Sequence, residues 1–132
     1  MKVQAYLAFN GNCQQALNFY GELFNADLKN KITYEDKKVD VPQDYRKKLQ
    51  HAELKGKKVH IMGYDATPDT PLHHGSNIHM SVDLNDVDHA ENVFKNLAKQ
   101  GTTHHDFRER EWGYFGRCTD KFGINWMVNC NC

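Results

Sequence analysis

The stretch NIHMSVDLNDVDHAENVFKNLAKQG (residues 77–101) decides the fold of this chain. It begins with alternating apolar and polar residues and continues with apolar residues at helical spacing, which predicts a strand followed by an amphipathic helix. The same order occurs at AYLAFNGNCQQALNFYGELF (residues 5–24). Two further predicted strands, which meet at a glycine-containing turn, follow each copy in residues 51–65 and 114–129. The sequence therefore predicts a duplicated β-α-β-β-β unit.

Both predicted helices begin after a residue type that commonly caps helices. Asn12 starts a capping-box pattern before the first helix, and Asp86 precedes the second. We predict that Gly101 ends the second helix. A short strand is then expected at residues 102–106, followed by a charged loop at residues 107–111. The first strand is predicted to begin at Val3.

The two copies predict one domain over residues 1–132. The first module spans about residues 1–66 and the second about residues 75–132, with a proline-containing linker between them. A module of roughly 60 residues buries its apolar surface poorly alone, so the two modules are expected to pack together. The predicted fold class is α+β: two βαβββ modules forming a curved mixed sheet around a cleft, with the helices on the outer face.

The composition excludes several classes of function. Seventeen basic residues balance seventeen acidic ones, so the chain has no basic surface suited to nucleic acid. No run of about 18 apolar residues predicts a membrane span, and the N-terminus lacks the features of a signal peptide. We therefore expect a cytoplasmic protein with reduced thiols. Cys130 and Cys132 are interpreted as thiols at a frayed end, with a soft-metal site as the less favoured alternative.

The duplicated unit resembles the vicinal oxygen chelate superfamily, which contains glyoxalases, bleomycin-resistance proteins and extradiol dioxygenases. Three phrases are similar to its PhnB-like branch: YLAFNGNCQQALNFY (residues 6–20), HAELKG (51–56) and DKFGINWMVN (120–129). That branch often carries a 3-demethylubiquinone methyltransferase label. The chain has no glycine-rich strand-to-helix turn to hold a nucleotide cofactor, so we reject methyl transfer and predict no cofactor.

The resemblance also implies where a metal would bind. Metal-dependent relatives place a His or Glu on the first and last strand of each module, and the matching positions here are Ala5, Ile61, Asn77 and Met127. Only Asn77 offers an oxygen ligand, so we predict that the usual metal site is absent. A displaced site would use His51, Glu53 and His79 as two imidazoles and a carboxylate.

The predicted ligand site is the cleft between the two modules, where apolar side chains would combine with a few polar groups. His79 is the candidate acid or base, because an imidazole titrates near neutral pH. The expected lining consists of Leu7, Phe9, His51, Glu53, Asn77, His79, Trp112, Tyr114, Met127 and Asn129.

Three functions fit this sequence. The first is a small-molecule cleft without a metal, which binds or converts an unknown ligand. The second is a metal-dependent lyase, isomerase or dioxygenase using His51, Glu53 and His79. The third is a resistance-type protein that sequesters its ligand. A homodimer is expected in each case, because open sheets leave edges that pairing would cover. Whether the protein is an enzyme stays open at this point.

Overall fold

The computed structural model describes residues 1–131 and divides into two compact units, Met1–His73 and His74–Cys132. Each unit contains one four-stranded mixed sheet and one α-helix. This arrangement confirms the α+β class and the two βαβββ modules. Both α-helices have 12 residues, and no helix among the described residues is long and apolar enough to cross a membrane. The expectation of a single domain stays a prediction.

The first unit has the strand order β1-β4-β3-β2. Strands β1 and β4 run parallel, and the other neighbours are antiparallel. A short 3-10 turn, Gln43–Tyr45, interrupts the polar segment before β3. The elements are β1 (Tyr6–Phe9), α1 (Cys13–Phe24), β2 (Asp27–Thr33), β3 (Leu49–Lys55) and β4 (His60–Asp65).

The second unit repeats this topology, with the strand order β5-β8-β7-β6 and a parallel pair formed by β5 and β8. Strands β7 and β8, and β6 and β7, are antiparallel. The elements are β5 (Met80–Leu84), α2 (Val87–Ala98), β6 (Thr102–Arg110), β7 (Gly113–Thr119) and β8 (Asn125–Cys130).

Each sheet has a helix-packed face and an open face. In the first sheet, Ala52 and Leu54 are fully buried with the apolar side of α1, whereas their neighbours His51 and Glu53 point to the open face. Met62 pairs with both Glu53 and Tyr6, and directly paired residues share a face. The open face of the first sheet therefore carries Tyr6, Ala8, His51, Glu53, Met62 and Tyr64.

The second sheet follows the same rule. Trp126, Val128 and Cys130 are buried on the helix-packed face, so Met127 and Asn129 lie on the open face. Their partners share that face: Met127 pairs with Ser81 and Arg117, and Asn129 pairs with Asp83 and Phe115.

The start of α1 differs from the prediction. Asn12 precedes the helix, but its side chain makes no capping hydrogen bond, so the capping box is wrong. The carboxylate of Asp65, 1% exposed at the end of β4, accepts the hydrogen bond from the Cys13 backbone N–H at 2.8 Å. A distant acceptor thus satisfies a free amide of the first helical turn. The Asp86 cap of α2 is confirmed by its bond from the His89 N–H.

Three boundaries were also mispredicted. Strand β6 continues to Arg110, so most of the expected loop at residues 107–111 is strand. Strand β1 begins at Tyr6 instead of Val3. Helix α2 ends at Ala98, and Gln100, with φ of 64°, takes the left-handed conformation expected of Gly101. The role of Gly101 is steric, because its α-carbon lies against the backbone of Thr119.

Candidate functional site

Five polar side chains on the first sheet are linked by hydrogen bonds and one ion-pair contact into what we call the open-face network: Tyr6, Asn30, His51, Glu53 and His60. Glu53 is at its centre, since its Oε1 lies 3.0 Å from His60 Nε2 and its Oε2 accepts from Asn30. His51 Nε2 lies 3.7 Å from Glu53 Oε2. On the other side of the imidazole, His51 Nδ1 is bonded to the Tyr6 hydroxyl. All five residues belong to the first unit.

The strand pairing of the first sheet brings these groups together. The chain places His51 and Glu53 two residues apart on β3, so both point to the same face. The pairing of Glu53 with Met62 on β4, and of Met62 with Tyr6 on β1, sets the Tyr6 hydroxyl beside His51. On β2, the register shifts after Lys29 and Asn30 has a φ of 55°. This irregular backbone accompanies the contact of the Asn30 amide with Glu53.

The hydrogen bonds assign one tautomer to both imidazoles. His60 Nε2 faces a carboxylate and so carries the proton, which leaves Nδ1 to accept from the Gln4 amide at 3.4 Å. His51 Nε2 faces the same carboxylate, and its Nδ1 accepts from the Tyr6 hydroxyl. Nε2–H tautomers of both imidazoles are therefore compatible with these contacts, an assignment made from the bonding pattern.

The network shifts the pKa values of two of its members in opposite directions. The hydrogen bond from His60, followed by the one from Asn30, lowers the pKa of Glu53 from 4.5 to about 2. Loss of hydration raises the pKa of Tyr6, and the nearby Cys13, Glu53 and Tyr64 raise it further. At neutral pH, Glu53 is therefore an anion that orients its donors, and Tyr6 is a neutral phenol that donates.

Apolar surface adjoins this polar network. The Tyr6 ring packs edge-on against Tyr64, with 5.6 Å between ring centroids, and tilts against the His51 ring at the same separation. Tyr6 remains 47% exposed, and Met62 and Tyr64 are half-buried. An aromatic surface beside fixed polar groups is the usual composition of a small-ligand site.

The pKa of Glu53 predicts how the stability of the protein depends on pH. A carboxylate with a lowered pKa in the folded state stabilises that state above its ordinary pKa, and this contribution is lost as pH falls. We expect Glu53→Gln to be less stable than wild type above about pH 4.5, and this difference to shrink between about pH 4.5 and pH 2. Urea denaturation across this pH range measures the difference, with the exposed Glu22→Gln as control. A pH-independent difference would contradict the assignment.

The second unit contains a cavity of about 470 Å³ at the turn between β6 and β7. Trp112 and Tyr114, both predicted site residues, line it together with Glu109, Arg110 and Val87 at the start of α2. The Tyr114 hydroxyl donates to Glu109 at 3.0 Å, and this bond is the main cause that raises the tyrosine's pKa. The Tyr114 ring stacks on Phe107, which in turn stacks on Phe94 of α2. Tyr114 therefore belongs to the helix-packed side of the second sheet.

The structure distributes the remaining predicted lining residues over several places. Leu7 and Phe9 lie on the helix-packed face of the first sheet, and Phe9 is fully buried there, so neither joins the open-face network. Met127 and Asn129 lie on the open face of the second sheet. Asn77 and His79 precede β5, in the second unit. Of the predicted lining residues, His51 and Glu53 belong to the open-face network of the first unit.

The displaced metal site finds no support in these positions. Among residues 1–131, no group of three or more His, Cys, Asp or Glu side chains is arranged to hold a metal ion. Of the positions that the resemblance implies, Ile61 is buried on the helix-packed face, and its open-face neighbour is Met62. Cys130 is buried at the end of β8 instead of frayed, and Cys132 lies outside the described residues.

Comparison with known proteins places the chain in a family. The sequence profile of the family described as 3-demethylubiquinone-9 3-methyltransferase matches residues 1–129. The chain belongs to this family. Protein YjdN of Escherichia coli K12 is 30% identical over an alignment of 140 positions, which covers 98% of this chain and 95% of YjdN.

Solved structures agree with this assignment. Protein PA1353 from Pseudomonas aeruginosa is 30% identical, with a TM-score of 0.87 over 98% of this chain and 97% of that one. A PhnB protein from Bacillus cereus is 21% identical, with a TM-score of 0.85 over 98% and 99% of the two chains. A glyoxalase/bleomycin resistance protein/dioxygenase family enzyme from Burkholderia phytofirmans shares the fold at 12% identity, with a TM-score of 0.64 over 98% and 97%. The family match confirms the resemblance to the branch that carries the 3-demethylubiquinone methyltransferase label, and the solved structures under 25% identical show the shared fold.

Proposed function

We propose that the protein binds a small molecule at the open-face network of its first sheet. The ligand would have an aromatic or other flat apolar body and a hydroxyl or amino group. The observation that carries this proposal is the series of polar contacts from Tyr6 through His51 and Glu53 to His60, together with the 47% exposure of Tyr6 itself. Mutually oriented polar groups with shifted pKa values beside an aromatic surface are typical of ligand sites.

The free hydrogen-bonding capacity of the network defines the ligand's polar group. Both carboxylate oxygens of Glu53 already have partners, and the Nδ1 atoms of both imidazoles accept bonds. The Tyr6 hydroxyl donates a hydrogen bond to His51, and its oxygen keeps a lone pair that can accept another. A ligand hydroxyl or amine is therefore expected to donate to the Tyr6 oxygen while its apolar body covers Tyr6 and Tyr64.

The same geometry supports proton transfer through His51. A hydroxyl, an imidazole and an ionised carboxylate lie in sequence, which is the order in which general bases are oriented. The raised pKa of Tyr6 keeps the phenol protonated, so the arrangement favours hydrogen bonding over nucleophilic attack by this residue. Binding is therefore the proposed function, and turnover of the bound ligand would identify His51 as the proton acceptor.

Two other functions are less well supported. A metal-dependent enzyme requires a ligand set that the described residues do not assemble. Methyl transfer, the activity in the family description, requires a methyl donor. The glycine-rich pattern that holds a nucleotide cofactor is missing from both strand-to-helix connections, which are Asn10–Asn12 in the first module and Asn85–Asp86 in the second. A protein that sequesters its ligand without reaction is compatible with the open-face network, and only the absence of turnover would distinguish such a protein from an enzyme.

Tyr6→Phe tests the proposed site. A library of phenols and aromatic amines, screened by ligand-observed NMR, provides hits whose affinities are then measured by titration. Loss of the Tyr6 hydroxyl should weaken binding of these hits by about fivefold, because one neutral hydrogen bond contributes about 1 kcal/mol. Tyr114→Phe removes a hydroxyl of the second unit and should leave their affinity unchanged. Hits that bind Tyr6→Phe as tightly as wild type would contradict the site, and a library without hits would contradict the proposed ligand class.

The expectations of a homodimer, of cytoplasmic location and of no interaction with nucleic acid stay predictions. Support for a dimer comes from the apolar residue Ile78, which is 77% exposed. Light scattering coupled to size-exclusion chromatography measures the mass directly, with 15.3 kDa expected for a monomer and twice that for the predicted dimer.

A further inference from the structure

Two arginines of the second sheet have buried donors without an acceptor. The Nε atoms of Arg110 and Arg117 are inaccessible to solvent, and neither has a hydrogen-bond partner among the described residues. Arg117 is half-buried on the open face, where it pairs with Met127 across the strands. Within residues 1–131 its guanidinium forms no ion pair. A partly dehydrated cation with an unused donor raises the free energy of the folded protein unless a nearby anion balances the charge.

An aromatic surface lies beside these arginines. The guanidinium carbon of Arg110 lies 5.7 Å from the centroid of the Phe115 ring, and Arg110 Nη2 donates to the Asp106 carbonyl at 2.9 Å. The Trp112 and His105 rings each tilt against Phe115 at 6.4 Å between centroids. Trp112 is 65% exposed, so its ring is available to a ligand.

The charge on this face is mainly positive. Arg108 pairs with Phe115 and His105 pairs with Arg117, so both share the open face with the two arginines above. Two acidic residues lie near this face: Asp83 shares it on β5, two strands away from β7, and Glu111 lines the cavity at the β6–β7 turn together with Arg110 and Trp112. Glu109 is paired with Tyr114 on the opposite face and is bonded to its hydroxyl. Arg117 therefore shares its face with Arg108 and Arg110, which favours the binding of an anion.

We propose that the open face of the second sheet binds a small aromatic carboxylate, whose oxygens accept from Arg117 and whose ring packs against Phe115 and Trp112. The two Nη groups of a guanidinium present parallel donors that match the two oxygens of a carboxylate, so the ligand need not reach the buried Nε. The aromatic pair supplies the apolar contact, and Arg110 adds a second positive charge. This site lies in the second unit and shares no residue with the open-face network, so its test is independent of the proposed function.

Benzoate is the probe, and the Nε–H resonances of the protein in ¹⁵N NMR are the direct measurement. The chain has only four arginines, Arg46, Arg108, Arg110 and Arg117, so the signals are readily assigned with single variants. Benzoate should move the Arg117 Nε–H signal saturably. Trp112 fluorescence should change at the same concentrations, because the other tryptophan, Trp126, is 2% exposed. Acetate, which lacks the ring, and benzyl alcohol, which lacks the charge, should each bind more weakly than benzoate.

Arg117→Gln and Arg117→Lys should both weaken benzoate binding by about tenfold or more, since lysine keeps the charge but lacks the paired donors. Arg46→Gln removes one exposed positive charge in the first unit and should leave the affinity unchanged. Circular dichroism checks that each variant is folded. The wild-type spectrum alone can overturn the proposal: a benzoate titration that leaves the Arg117 signal in place does so, and so does an acetate titration that shifts it equally.

Discussion

Asp120→Ala is expected to lower the free energy of unfolding by about 3 kcal/mol or more, because one buried carboxylate serves three donors. The side chain of Asp120 is 3% exposed at the end of β7. Its Oδ1 accepts from the backbone N–H groups of Phe122 and Ile124 at 2.8 and 3.0 Å, and its Oδ2 accepts from Trp126 Nε1 at 2.8 Å. Truncation would leave all three donors without this acceptor, in the turn that joins β7 to β8.

Urea denaturation followed by tryptophan fluorescence measures this loss, since Trp126 is itself one of the donors. Asp40→Ala, at an exposed position, is the control and should change stability by less than about 0.5 kcal/mol. The stability of Asp120→Asn should fall between those of Asp120→Ala and Asp40→Ala, because an amide keeps one acceptor oxygen but presents an NH₂ group to a donor. Equal stability of Asp120→Ala and Asp40→Ala would show that the carboxylate does not hold this turn.

Gly101→Ala is expected to destabilise the protein by about 3 kcal/mol, near the upper end for overpacking. A β-carbon at this position would lie 2.1 Å from the carbonyl oxygen of Thr119 and 3.0 Å from two backbone atoms of Asp120. All three contacts are with backbone, which cannot move aside by changing a rotamer. The connection from α2 to β6 would have to separate from the end of β7.

Gly75→Ala is the matched control in the same unit. An added β-carbon at Gly75 would meet only the Asn77 side chain at 3.6 Å, an ordinary van der Waals contact. Its melting temperature should stay close to wild type, whereas that of Gly101→Ala should fall by several degrees. A comparable melting temperature for both variants would contradict the close approach of Gly101 to β7.

The sequence predicts the fold well because the repeat is expressed in local patterns. Apolar periodicity identifies both helices, and alternation identifies β3, β5 and β8. The start of α1 was mispredicted because its cap is not local. Asn12 has the right residue type, yet Asp65 supplies the acceptor from 52 positions away in sequence. Tertiary contacts of this kind leave no signal within the segment that they stabilise.

The candidate site was predicted only in part, for a related reason. Alternation along HAELK correctly places His51 and Glu53 on one face. Strand β1 reads Tyr-Leu-Ala-Phe, which is apolar on both sides, so its pattern cannot decide which residues face the helix. The predicted lining therefore included Leu7 and Phe9 and omitted Tyr6. Asn30 and His60 reach Glu53 across strand pairs, and their contacts depend on a register that sequence spacing does not determine.

The central claim is that the open-face network is a ligand site, and NMR of its imidazoles tests this claim most directly. The ¹⁵N and ¹H signals of the His51 and His60 rings report their tautomers and hydrogen bonds. With a phenol or aromatic amine from the screen, the His51 signals should shift saturably, at the concentration that half-saturates binding, and this response should be lost in Tyr6→Phe. Saturable binding that leaves the His51 and His60 signals unchanged would contradict the account.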